Sequence, residues 1–181
     1  MKKKAINYFY FVRDIPYKIP TSIKETDYCC GGKHKILSDL LKSLGLQVRN
    51  RVCLFLWNSL DLPSKFKKIS YENDCTHTYL EIKTNNRWEV LDVTWDVGLA
   101  RVFHINDWDG KSNTEIAVKP IKIFSPQKSE EILKNLNIRN KNLQESLREF
   151  QVFLRDLRLF AVKCHFCSGV INVFENILIA I

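Results

Sequence analysis

Apolar side chains recur every three or four positions between residues 30 and 45, and this spacing predicts an amphipathic helix. Gly45 follows the stripe as a residue suited to end a helix, and the stripe itself consists of Ile36, Leu37, Leu40, Leu41 and Leu44. The pattern then changes to alternation of apolar and polar residues, which is typical of strands. LQVRNRVCLFLW predicts one strand, and THTYLEIK and RWEVLDVTW predict two more. Asn85-Asn86 joins the last two, and asparagine suits the positive φ angles of a tight hairpin.

Beyond residue 105 the periodic signal weakens until Ser125-Pro126, which predicts the start of a long helix. An apolar stripe of this short length favours core packing over a coiled coil, and it comprises Leu143, Leu147, Phe150, Leu154 and Leu157. The order helix, strand, hairpin, helices predicts an α+β domain in which the helix at 30–45 packs on an antiparallel sheet. We expect one domain over residues 1–181, made of a core at 1–105 and a mainly helical C-terminal extension at 106–181 packed on it.

The composition raises the question of an acidic partner, because the formal net charge is +8. The lysines are scattered, however, and no zinc-finger, RRM or helix-turn-helix signature accompanies them. A solvated basic surface is therefore favoured, and no nucleic-acid partner is expected.

The chain ends carry two apolar segments that we do not interpret as membrane signals. MKKKAINYFYFV begins like a signal peptide, but its apolar part is short, meets Arg13 and Asp14, and has no small-residue cleavage site. VINVFENILIAI at the other end is too short for a membrane span and contains Glu175. It favours core packing over a dimer surface or a membrane surface. The six cysteines are then interpreted as reduced thiols of a cytoplasmic protein.

Candidate chemistry begins with Cys29 and Cys30, because amides at a helix start stabilise a thiolate. A nucleophilic thiol also needs a base and a group that orients the base. If Asn85-Asn86 is a two-residue loop, Asp92 lies diagonal to His77, and both lie on one face of the sheet against which we expect the helix to pack. The position of the two cysteines on the helix does not indicate which of them is the nucleophile.

Three blocks of the sequence together resemble the transglutaminase-like superfamily, thiol enzymes with a papain-like fold. These blocks, within roughly residues 8 to 96, are CCGGKHKILSDLLKSLGLQVR, THTYLEI and WEVLDVTWD. The resemblance implies Cys30 as the nucleophile, because it precedes Gly-Gly and stands at the usual distance from the glycine that ends the family's helix. It also implies His77 as the base, Asp92 as the residue that orients His77, a thioester intermediate and no cofactor.

Some positions depart from the family pattern. Tyr28 stands where many members have glycine, and His34 stands where a small residue is usual. His34 is one helical turn after Cys30 and is therefore a rival base or a cleft residue. The amide of Cys30 is the first candidate oxyanion donor. Further candidates for the oxyanion hole or the cleft are Tyr17, Tyr28 and Trp95.

Other cysteines favour structural roles. Cys164 and Cys167 in CHFC have the spacing of half a zinc site, but a second half is missing, so no metal is expected. Cys75 is interpreted as a bystander thiol on the same strand face as His77.

The predicted function is thiol-dependent acyl transfer or hydrolysis on a peptide or carboxamide substrate. The resemblance favours peptidase or deamidase activity over cross-linking, because the small microbial members are more often hydrolases. The alternative is a non-catalytic module that binds a peptide or protein on the same fold, since fold does not determine function.

Overall fold

The computed structural model of the chain describes residues 2–20, 25–60, 62, 74–135, 151–152 and 154–155. Over these ranges it forms three α-helices and one four-stranded antiparallel sheet, which confirms the α+β class. In chain order the elements are α1 (Lys2–Asp14), α2 (Cys30–Lys42), β1 (Val48–Leu56), β2 (Asp74–Thr84), β3 (Arg87–Leu91), β4 (Lys122–Ile123) and α3 (Pro126–Asn135).

The sheet has the strand order β3-β2-β1-β4. In the hairpin of β2 and β3, Thr84 pairs with Arg87, and Asn85 and Asn86 have φ angles of 44° and 63°. The predicted two-residue turn and its register are therefore confirmed. On the other side of β2, His77 pairs with Cys53 of β1.

Helix α2 begins at Cys30, directly after the extended residue Cys29. Leu37 and Leu41 of the predicted stripe are fully buried. The regular helix ends at Lys42, and a turn then leads to Gly45, whose φ angle of 77° is the left-handed conformation that glycine adopts without strain. The helix is thus confirmed, with an end three residues before the predicted glycine.

Two clusters of buried side chains cover the two faces of the sheet. The first includes Cys53, Phe55 and Tyr79, and the second includes Leu37 and Leu41 of α2 with strand residues from the opposite face, namely Leu80, Ile82 and Leu91. The body of α2 therefore packs on the face opposite His77, because successive strand side chains alternate between faces. This corrects the expectation that the helix lies on the His77 face. Only the start of α2 reaches the first cluster, through Cys29 and Cys30.

Residues 106–121 form no regular element before β4, which pairs with β1, and α3 follows. The predicted start of α3 is confirmed, and the Ser125 hydroxyl accepts a hydrogen bond from the amide of Lys128 at 3.2 Å. Leu154 is fully buried in the first cluster. The rest of that predicted stripe, the CHFC segment and the apolar C-terminus lie outside the described residues. Within the described residues, no helix combines the length and apolar character needed to cross a bilayer.

Candidate active site

The two adjacent cysteines differ in exposure and in hydrogen bonding. Cys29 is 6% exposed, and its pKa lies well above the ordinary value because its thiol hydrogen-bonds to Cys30 and is buried. Cys30 is partly exposed and is the first residue of α2. The amide of Cys30 has no acceptor among the described residues, as expected for the first turn of a helix. The accessible thiol of the pair is therefore that of Cys30.

His77 and Asp92 form a buried hydrogen-bonded pair. The hairpin register carries Asp92 one residue beyond β3, diagonal to His77, and His77 Nε2 lies 2.7 Å from Asp92 Oδ2. His77 is 2% exposed and Asp92 is fully buried. The contact predicted from strand pairing is thus present.

The Asp92 carboxylate accepts four hydrogen bonds. Oδ1 accepts from the Thr94 amide at 3.0 Å and the Thr94 hydroxyl at 2.6 Å. Oδ2 accepts from His77 and from the Ala117 amide at 2.9 Å. Burial alone would raise the pKa of Asp92, but its electrostatic and hydrogen-bonding interactions with His77, and then with His34, hold that pKa well below the usual range. Asp92 therefore acts as an acceptor.

The protonation pattern of His77 follows from that of Asp92. Since Asp92 Oδ2 is an acceptor, His77 Nε2 donates to it. The other ring nitrogen, Nδ1, has no partner among the described residues. His77 thus keeps one nitrogen for proton exchange while the other is fixed by the carboxylate.

His34 is fully buried, and both of its ring nitrogens are engaged. Nδ1 lies 2.6 Å from the Cys30 carbonyl oxygen, and Nε2 accepts from the Val93 amide at 3.0 Å. It therefore has neither the exposure of a cleft residue nor a nitrogen available to a thiol. These contacts do not favour His34 as a rival base or a cleft residue, and that role stays a prediction.

The three other candidate cleft residues differ from one another. Tyr17 is 5% exposed, and its pKa is raised well above the ordinary value chiefly by burial next to Cys29, Cys30 and Cys75. Tyr17 is thus a neutral phenol close to the thiols. Tyr28 is partly exposed, and its backbone pairs with that of Lys18.

The side chain of Trp95 is held by a hydrogen bond and a ring contact within the protein. Its indole N–H donates to the Ala117 carbonyl at 3.1 Å, and its ring stacks on Phe103 at 3.9 Å between centroids. Its side chain therefore has no donor left for an oxyanion. A cavity of about 300 Å³ lies beside Trp95 and is lined also by Phe103, Asn106 and Ala117. Cys30 and His77 do not line that cavity.

No family model matches this chain, and no curated protein or solved structure matches it. The transglutaminase-like assignment therefore rests on the residues of the three sequence blocks.

Several residues that shape the site carry no signal in the sequence pattern. The Thr114 hydroxyl accepts from the Asp92 amide at 2.8 Å, and Asn106 Nδ2 donates to the Asp92 carbonyl at 3.0 Å. Together with Ala117 they surround Asp92 from a segment without periodicity. Only the polar character of Thr114 and Asn106, in a stretch that follows the predicted hairpin, could have pointed to them.

Cys75 lies on the same face of β2 as His77, as predicted, and its thiol is 3.7 Å from the Thr76 carbonyl. Among the described residues, no group of three His, Cys, Asp or Glu side chains is arranged to hold a metal ion.

Proposed function

We propose that this protein catalyses thiol-dependent acyl transfer or hydrolysis on a peptide or carboxamide substrate, with Cys30 as nucleophile, His77 as base and Asp92 as the residue that orients His77. The observation that carries the proposal is the buried His77–Asp92 pair. It fixes Nε2 and leaves Nδ1 for a thiol. Cys30, partly exposed at the start of α2, packs against the first cluster, and we propose that its thiol is the nucleophile that His77 serves.

The proposed reaction has two halves. Cys30 Sγ attacks the carbonyl carbon as its proton passes to His77 Nδ1, and a tetrahedral oxyanion forms. His77 then gives that proton to the leaving amine or ammonia as the C–N bond breaks, which leaves a thioester on Cys30. Water or an amine then attacks the thioester carbon while His77 takes the proton of that nucleophile. As the C–S bond breaks, His77 gives the proton to Cys30 Sγ, which restores the thiol and releases the acid or the new amide. Asp92 stays ionised throughout and holds the tautomer of His77.

The proposed oxyanion hole combines the Cys30 amide with the Tyr17 hydroxyl. The Cys30 amide belongs to the first turn of α2, where backbone donors point outward. Tyr17 belongs to the same buried cluster as Cys29, and burial raises the pKa of its hydroxyl, which therefore stays protonated. We expect Tyr17→Phe to lower turnover by about 10²-fold, which is the effect of losing one such donor.

We favour water over an amine as the acyl acceptor, which gives a peptidase or deamidase on a papain-like core. The support for this finer assignment is the resemblance of the three sequence blocks to transglutaminase-like proteins. The chemistry of the thioester is common to both acceptors.

The proposal is tested by limiting iodoacetamide and peptide mapping of each cysteine between pH 5.5 and 9. We expect Cys30 to be alkylated far faster than the other cysteines near pH 6, and this lead to collapse in His77→Ala. The matched control is Cys29→Ala, which removes the buried neighbour and should leave the lead of Cys30 intact. Release of ammonia or amine from peptide substrates should stop in Cys30→Ala and continue in Cys29→Ala.

One outcome of the alkylation experiment would contradict the proposed function. If Cys30 in the wild type shows the pH dependence of an ordinary cysteine, and His77→Ala does not change it, the thiol and imidazole are not coupled. The non-catalytic binding module would then replace the enzyme as the better interpretation.

A further inference from the structure

His34 links two segments of the site that are far apart in sequence. One ring nitrogen contacts the Cys30 carbonyl, which belongs to the first turn of α2, and the other contacts the amide of Val93, the residue after Asp92. His34 is fully buried, so water cannot replace either partner without a rearrangement. A single imidazole thus joins the backbone of the proposed nucleophile to the backbone beside the carboxylate.

The two contacts determine which nitrogen of His34 carries the proton. The Val93 amide is a donor, so Nε2 must present its lone pair. The Cys30 carbonyl is an acceptor, so Nδ1 must carry the hydrogen. A charged imidazole would instead direct an Nε2 proton toward Asp92 Oδ1, which is 3.5 Å away, and would leave the Val93 amide without its acceptor. The hydrogen bonds therefore favour the neutral Nδ1–H tautomer.

The neighbouring residue strengthens the same link. Lys33 is fully buried, and its ammonium donates to the Thr94 carbonyl at 3.0 Å and to the Arg13 carbonyl at 2.7 Å. Consecutive residues of α2 therefore hold consecutive residues of the segment that follows Asp92. These hydrogen bonds are needed because the body of α2 packs on the sheet face opposite His77. The packing of the helix body does not by itself place Cys30 against His77.

We infer that His34 is a positioning residue: its neutral imidazole sets the first turn of α2 against the Asp92–Thr94 segment, and thereby sets Cys30 against the His77–Asp92 pair. The inference rests on the proposed function and adds to it the device that aligns its two halves. His34 touches no substrate and exchanges no proton in this role. The ring of His34 lies 6.2 Å from that of His77, edge to face, so it also limits where His77 can turn.

The first test is spectroscopic and does not depend on activity. Nitrogen-15 chemical shifts of the four histidines, assigned with His34→Gln, report which ring nitrogen is protonated. We expect the His34 signals of the Nδ1–H tautomer at pH 7. Signals of the Nε2–H tautomer or of a charged ring would overturn the inference.

The second test uses three substitutions that separate the two contacts. His34→Asn keeps a donor near the position of Nδ1, His34→Gln keeps an acceptor near the position of Nε2, and His34→Leu keeps only bulk. We expect alkylation of Cys30 at pH 6 to fall about 10- to 100-fold in His34→Leu, as for a small misplacement of reacting groups, and to recover partly in the Asn or Gln variant.

The control is Leu41→Ala, which perturbs the core under the same helix without touching the site. Leu41→Ala should lower stability yet leave the alkylation rate of Cys30 unchanged. In each variant, protection of the buried Cys53 thiol from alkylation shows that the protein is folded. If iodoacetamide alkylates Cys30 in folded His34→Leu as fast as in the wild type, the positioning role is wrong while the proposed function stands. If the wild type has no fast Cys30 that depends on His77, the proposed function fails first and this role fails with it.

Discussion

At the residue scale, Asp92 concentrates the polar contacts of the site. Donors surround its carboxylate: Thr94 through its amide and hydroxyl, Ala117 through its amide, and His77 through Nε2. An ionised carboxylate accepts all of these bonds, whereas a side-chain amide accepts at one end only. The position therefore requires an acid, and a residue of the same shape does not replace it.

We expect Asp92→Asn to lower turnover by about 10⁴-fold, the loss known when such a change fixes the wrong histidine tautomer. Alkylation of Cys30 at pH 6 should fall by at most about 300-fold, because a cysteine of ordinary pKa, about 8.5, still has that fraction of thiolate at this pH. An amide nitrogen at the Oδ2 position would oppose the Ala117 amide and force His77 to accept at Nε2, which moves its proton to Nδ1. The matched control is Thr94→Val, which removes one of the four donors and should cost about 1 kcal/mol of stability with a much smaller loss of rate. Equal rates for Asp92→Asn and the wild type would remove Asp92 from the mechanism.

At the element scale, the start of α2 depends on two glycines with different surroundings. A Cβ at Gly32 would lie 1.8 Å from the Asp27 carbonyl oxygen, whereas a Cβ at Gly31 would meet nothing within 4 Å. The segment before the helix thus folds back onto Gly32 and not onto Gly31. Gly32 is required by a close backbone approach, and Gly31 is not.

We therefore expect Gly32→Ala to destabilise the protein by about 1–3 kcal/mol or more, because the backbone of Asp27 must move. Gly31→Ala should change the free energy of unfolding by less than about 1 kcal/mol, and in the stabilising direction, since alanine favours helix. Urea unfolding of both variants measures the difference. Similar free energies for the two would show that Asp27 does not pack against the helix start as described.

The elements also show what a sequence can predict. The hairpin register follows from Asn85-Asn86 and strand alternation, and these two patterns are sufficient to predict Asp92 beside His77. The role of Ala117 could not be predicted, because a backbone amide has no side-chain signature and its segment has no period. The contacts of His34 could not be predicted for a related reason: helical spacing gives its distance from Cys30, but not that the amide of Val93, outside the helix, contacts its second nitrogen.

At the scale of the whole molecule, burial keeps one cysteine and two tyrosine side chains protonated to a higher pH than in the unfolded chain. Burial, and then the charge of Asp92, raises the pKa of Cys53 to about 12, and burial raises the pKa values of Tyr17 and Tyr79. The unfolded chain gives up these protons at lower pH, near 8.5 for cysteine and near 10 for tyrosine. The stability they contribute is present below those values and is lost as the pH rises toward the folded-state values.

We expect the free energy of unfolding to fall steadily above about pH 9, by up to about 1.4 kcal/mol per pH unit for each group. Cys53→Val removes one such group at a buried strand position, so its stability curve should be flatter than that of the wild type between about pH 9 and 11. Urea unfolding at a series of pH values measures both curves. Parallel curves would mean that Cys53 does not contribute to the alkaline loss.

The hydrogen bond from Ala117 to Asp92 also has a consequence for synthesis of the chain. All three sequence blocks have left the ribosome once residue 96 has emerged, but the amide that completes the carboxylate shell is 25 residues beyond Asp92. A nascent polypeptide, or a fragment cut after residue 105, therefore contains the thiol, the imidazole and the acid, but it lacks the Ala117 amide that helps to hold the carboxylate against the imidazole. Under our proposal, reactivity arises late in translation, and an unfinished chain exposes Cys30 only as an ordinary cysteine.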